Sequence, residues 1–212
     1  MASSIAVLIE EGRTRTFASA LDWPGWSRSA KSASDALAVL DDYRERYAAV
    51  LASHSLGAPA GRLAVVETVP GDATTDFGAP SQIAARDRRA MRRADRDRMG
   101  AILEASWASF DDAAATTGKL RQGPRGGGRS VQKMAAHVAD AEVAYARALG
   151  LRVSAADDEA SVAALRARLL GLVAGTVEPD RDGKWPLRYG VRRIAWHVLD
   201  HLFEMEDRDI TR

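Results

Sequence analysis

The chain has 212 residues, 46% of them hydrophobic and 28% charged, enough for one large domain or two modest ones with a proper core. Lys+Arg 30 against Asp+Glu 29 leaves a formal charge of +1, a balance that argues against a protein whose task is to coat nucleic acid. The absence of cysteine excludes disulfides, thiolate metal sites and a cysteine nucleophile.

The opening MASSIAVLIEEG has a short apolar run with no basic segment before it and acidic residues directly after it. No signal peptide is predicted, and no later stretch is apolar for long enough to span a bilayer. The expectation is a soluble, cytoplasmic protein without a membrane partner. Three strand-like pieces follow, IAVLIEE (5–11), RTRTFASAL (13–21) and RLAVVETV (62–69), the first two joined by a turn at Gly12. WPGW (23–26) breaks any regular element. A helix runs through SDALAVLDDYRERYAAVLAS, where Ser32 and Asp35 have the spacing of a capping box. Residues 1–70 therefore read as a β-β-α-β module.

Residues 71–82, rich in Gly, Pro, Asp and Thr, are predicted to be a linker. Beyond it the pattern is helical: 83–117 with a Met99, Leu103 and Phe110 stripe, 131–149 capped by Ser130, about 158–174, and a last helix opened by Pro186 and reaching about 206. The predicted fold class is thus an α+β N-terminal module followed by an all-α four-helix bundle over 83–212.

The chain has four histidines, and two of them, His197 and His201, stand four residues apart in the last helix. Such residues project from one helix face, here the face that also carries Gly190, Ile194, Val198 and Met205. Trp196, Leu199 and Phe203 lie opposite, so this helix is apolar nearly all round and is predicted to be central or at an interface. His137 repeats the situation on the helix 131–149, sharing a face with Met134, Val138, Ala141, Tyr145 and Ala148. Two readings stay open: core histidines bonded to backbone or carboxylate, or three ligands of one metal ion with a further position left to water or substrate. Asp140, Asp200 and Glu204 lie within a helical turn of the histidines and are candidates to orient them from behind. Arg193, one turn before His197, is the candidate for holding an anionic substrate, with a solvated arginine as the plain alternative.

GGRSVQKMAAHVADAE (127–142) and WHVLDH (196–201) resemble the DinB-like superfamily of four-helix metalloproteins, over about residues 83–212. The resemblance implies that His137, His197 and His201 hold a divalent metal, zinc or nickel most commonly. It also implies an S-transferase or isomerase in which the metal activates a low-molecular-weight thiol as a thiolate that attacks an electrophilic small molecule. The thiol would then be a cosubstrate, consistent with a chain without cysteine. RTFASALDWPGWSRSAKSASDALAVL (15–40) is similar to the HicB-type antitoxin fold, which implies a module for a protein partner or for dimerisation. The alternative to the enzyme is a non-catalytic interaction or stress-associated protein with a structural or vestigial metal site.

Other signals carry less. RDRRAMRRADRDR (86–98) interleaves aspartates with its arginines and holds no aromatic residue for stacking, so it reads as a solvated helix face and not as a nucleic-acid contact. GPRGGGRS (123–130) lacks the spacing of a phosphate loop and reads as a mobile connection, with a glycine lid as the alternative. His54 reads as surface, and Trp23, Trp26, Trp107 and Trp185 as packing. The Trp196, Leu199 and Phe203 face is one candidate surface for a homodimer.

Overall fold

The structure is a computed structural model and describes residues 4–121 and 130–211. Strand β1 (Ser4–Glu11) turns tightly at Gly12, whose N–H donates to Arg15 O at 2.9 Å, into the antiparallel β2 (Thr16–Ala20). β3 (Ser27–Ala30) pairs antiparallel with β2, and after two helices β4 (Arg62–Pro70) returns parallel to β1, giving the order β3-β2-β1-β4. The sequence reading has no β3, because SRSA lacks the apolar and β-branched residues that mark a strand. Its formation depends on the β2 edge, where Ser19 and Ser27 share a hydroxyl hydrogen bond of 2.6 Å.

The single helix expected after β3 is two: α1 (Ala33–Asp42), capped by Ser32, and α2 (Arg44–Ala52). They part at Tyr43, whose φ of −83° and ψ of 0° leave the helical region. The break turns α2 so that Tyr47 donates to Pro24 O at 2.9 Å and stacks on Trp26.

The stretch expected as a linker is ordered structure. It contains a short helix, α3 (Ala73–Phe77), capped by Asp72 and ended by Gly78. The cause lies on β1: the buried Glu10 carboxylate accepts from the Thr75 hydroxyl, from Ser81 N–H at 3.0 Å and from Gln82 N–H at 3.0 Å. An anion sunk in the sheet thereby folds the segment back over it, and local composition does not show this.

The helical region starts later than expected. A 3-10 turn at 85–88 precedes α4 (Arg93–Thr116), followed by α5 (Val131–Ala148), α6 (Glu159–Ala174) and α7 (Leu187–Arg208). Within the arginine-rich run Asp87 is buried, paired with Arg192 of α7 at 3.0 Å, so the run anchors the chain as well as facing solvent. The glycine-rich stretch 123–129, expected as a connection or lid, lies outside the described residues.

α7 is buried on fifteen of its 22 residues, so it is the central element. α4 and α5 pack on one side of it. On the other side lies the sheet module, with Phe17 edge-on to Trp196 and Tyr43 edge-on to Phe203. The Trp196, Leu199 and Phe203 face, expected as a dimer surface, is therefore covered within the chain. Gly25, at φ +89°, makes this fit possible, since a Cβ there would stand 2.6 Å from Leu199 Cδ1. One apolar core runs from Ile5, Val7 and Leu40 through Met99 and Leu103 to Val198 and Met205. No helix among the described residues is long and apolar enough to cross a membrane.

Replacing Glu10 with Ala leaves the Ser81 and Gln82 N–H groups without their acceptor and is expected to lower the unfolding free energy by about 3 kcal/mol. Urea denaturation followed by far-ultraviolet circular dichroism measures it, and a loss under about 0.5 kcal/mol would show that the segment does not depend on this carboxylate.

Candidate metal centre

The site begins with helix periodicity. His197 and His201 project from one face of α7, with ring centroids 4.7 Å apart and planes at 89°. Both rings are buried. α5 crosses this face and brings His137, half-buried, to 5.0 Å from the His197 ring and 5.1 Å from the His201 ring. Close approach of the two helices depends on Gly190, which shares the face with His197. A Cβ at Gly190 would fall 2.5 Å from Leu149 Cδ2, just past the end of α5.

One ring nitrogen from each histidine lies within 4.8 Å of the other two, so the three are close enough to bind a metal ion. The donor set fits. Nitrogens at zinc-bond length around a tetrahedral ion are about 3.4 Å from one another, and the His137 and His197 Nε2 atoms are 3.3 Å apart.

A ligand imidazole is held best when its second nitrogen donates to a fixed acceptor. His201 meets this condition: its Nδ1 is 3.0 Å from Glu204 Oε2, which leaves Nε2 toward the cluster. The Glu204 carboxyl is held below its ordinary range, first by the hydrogen bond from His201 and then, against partial burial, by the bond from Arg208. It therefore stays ionised through the neutral range and keeps His201 oriented. Arg208 also donates to Arg121 O at 3.1 Å, tying the end of α7 to the segment after α4.

The other carboxylates are placed differently. Asp200 is drawn away into an ion pair with Arg28 of β3 at 3.0 Å, and Asp140 is exposed on α5. Arg193 stays beside the histidine face. Its guanidinium lies 4.6 Å from the Trp196 ring centre and 5.5 Å from that of Tyr145, and its Nη1 is buried without a hydrogen-bond partner. Among the described residues it forms no ion pair with a carboxylate. His54 is exposed, at the far end of the sheet module's helices.

An aromatic wall adjoins the cluster. Tyr145 stands edge-on to His197 at 5.8 Å, Trp185 packs on Tyr145 at 5.3 Å, and Tyr189 packs on Trp185 at 5.0 Å. Burial raises the Tyr145 hydroxyl pKa and pushes that of Tyr189 up to about 12, so both remain neutral donors. Tyr145 is legible in the sequence, two turns along the His137 face. Trp185 and Tyr189 are not, because their placement depends on the loop before α7 folding back so that Trp185 N–H donates to Ala148 O at 3.1 Å.

Comparison of the chain with protein-family models, with curated proteins and with solved structures gives no match. The site rests on its own geometry.

Wild-type protein incubated with zinc or nickel and desalted is expected to retain about one metal equivalent per chain. His137→Ala and His197→Ala should each abolish retention, and Glu204→Gln should weaken affinity about 10–100-fold. Elemental analysis with a competing chelator measures both. Retention unchanged in either histidine variant would show that the three residues are not one site.

Proposed function

We propose that the chain is a divalent-metal protein, zinc or nickel, that uses a low-molecular-weight thiol as cosubstrate, as an S-transferase or isomerase. In this reading α4–α7 form a DinB-like four-helix bundle and the sheet module is a HicB-like unit. The observation that carries it is the incompleteness of the ligand set. His137, His197 and His201 are the whole cluster among the described residues, and the nearest carboxylate, Glu204, is already engaged by His201 and Arg208. Structural zinc sites are closed by four protein ligands, whereas catalytic ones have three and keep a position for water or substrate.

A divalent ion held there supplies positive charge that lowers a thiol's pKa and so favours the nucleophilic thiolate. The chain's own residues do the rest. Glu204 fixes the His201 tautomer. Tyr145, Trp185 and Tyr189 give an aromatic wall beside the histidines, with the Tyr189 hydroxyl donating to Ser81 O at 3.0 Å. Arg193 offers a fixed positive charge one helical turn away, with no carboxylate paired to it among the described residues, suited to an anionic group on the thiol or on the electrophile.

Cobalt-substituted protein titrated with N-acetylcysteine tests the reading directly. A near-ultraviolet sulfur-to-cobalt absorption band that saturates at one thiol per cobalt supports it. Arg193→Met should leave cobalt uptake unchanged and weaken binding of this anionic thiol about tenfold. Full cobalt loading with no such band would favour the alternative, a non-catalytic interaction protein whose metal is structural.

A further inference from the structure

β4 is the outer strand of the sheet, nine residues long, and among the described residues no strand or bridge pairs with its free edge. A free edge presents a row of backbone donors and acceptors, and folded proteins usually blunt it with lysines, proline or a covering loop. On β4 these devices are Arg62 at one end and, toward the other, Pro70 and Glu67, whose carboxylate also accepts from Ala85 N–H at 3.0 Å. The middle, Leu63-Ala64-Val65-Val66, carries no charge, and Val65 and Val66 are 46% and 57% exposed.

The register explains why two adjacent valines are both exposed. Val65 lies opposite Val7 and Glu67 opposite Leu8, so Val66 is the extra residue of a bulge. The same register puts Arg62 opposite Ser4 and Glu67 opposite Leu8. Those two positions on β1 are an even number apart, so Arg62 and Glu67 lie on one face of the sheet, flanking the apolar middle.

We propose that this edge binds a second copy of the chain, β4 against β4, antiparallel about a two-fold axis through the Ala64–Val66 region. The edge is self-complementary. A two-fold axis makes each contact occur twice, and here it sets Arg62 of each copy against Glu67 of the other while the uncharged Leu63–Val66 stretches face each other between them. The pairing joins two four-stranded sheets into one and removes both free edges. It uses none of the residues around the histidines, so it stands whether or not the metal reading does.

Sedimentation velocity over a concentration series tests the proposal on the full chain, with circular dichroism to confirm folding of each variant. Wild type is expected to sediment as a dimer. Val66→Lys and Arg62→Glu, both at exposed positions, should each weaken self-association at least about tenfold. Glu67→Arg should do the same. An equimolar mixture of Arg62→Glu and Glu67→Arg chains should recover dimer, because each opposed pair is then again one acid and one arginine. A wild type that is monomeric throughout, a dimer that Val66→Lys leaves intact, or charge variants that stay monomeric on mixing would overturn it.

Discussion

The enclosure of α7 is the constraint on which the rest of the structure depends. A helix with one apolar stripe can slide or rotate against its partner at little cost, whereas one packed on all sides cannot. α7 has α4 and α5 on one flank and the sheet module on the other, where Trp196 meets Phe17, Phe203 meets Tyr43 and Leu199 sits against the Gly25 turn. Arg28–Asp200 and Arg46–Glu206 then pin the polar borders of the same contact. The sheet module thus acts on the histidines through α7, because it fixes the rotation of the helix that carries two of the three. Separating it from the helices would expose Trp196, Leu199 and Phe203 together.

The charges divide into two kinds. Asp87–Arg192, Asp95–Arg188 and Glu142–Arg166 are ion pairs with at least one partner nearly or wholly buried, and each joins segments distant in sequence. Glu142 also accepts from Trp107 Nε1 at 2.8 Å, so the carboxylate is satisfied by two helices besides its own. Such pairs add little net stability over apolar packing, but removing one partner strands the other, which disfavours misaligned arrangements. Arg193 is of the second kind. The Nε atoms of Arg98 and Arg188 are also buried without a hydrogen-bond partner, but those guanidiniums have ion pairs, whereas that of Arg193 has none among the described residues, and departures of that sort concentrate at functional sites. The histidine cluster is a departure too. Three imidazoles stand in ring contact, the His137 and His197 Nε2 atoms 3.3 Å apart, and an ion between them would be held by three nitrogens at once.

How far the sequence shows this depends on whether the signal is local. The helices α4 to α7 are legible because apolar residues recur at helical spacing, and Ser32 and Ser130 cap helices at the positions their patterns suggest. The histidine triplet is legible for the same reason, since two of its members share a face by spacing and the third lies on a second helix with the same kind of face. What depends on distant partners is not legible. β3 exists because β2 offers an edge, the 71–82 segment folds because Glu10 is buried beneath it, and Asp87 is interior because Arg192 reaches it. Among the carboxylates near the histidines, helical proximity does not separate Glu204 from Asp200. The difference is made by Arg28, 172 residues earlier in the chain, which takes Asp200 for itself.

The unequal fixing of the three ligands bears on what the site can do. His197 and His201 are buried on a helix that cannot turn, and His201 is further locked by Glu204. His137 is half-buried on α5, which contacts α7 along one side only. An ion bound by all three would therefore gain most of its geometry from α7 and would tie α5 to it, so metal binding and the packing of α5 should be coupled. The same asymmetry leaves the His137 side as the natural approach for a small ligand, with Tyr145 of α5 flanking it. A structural ion would instead be expected where all ligands are equally rigid and water is excluded. In the reading proposed above, two fixed donors and a half-buried third would leave the ion a position that a small ligand could fill and vacate.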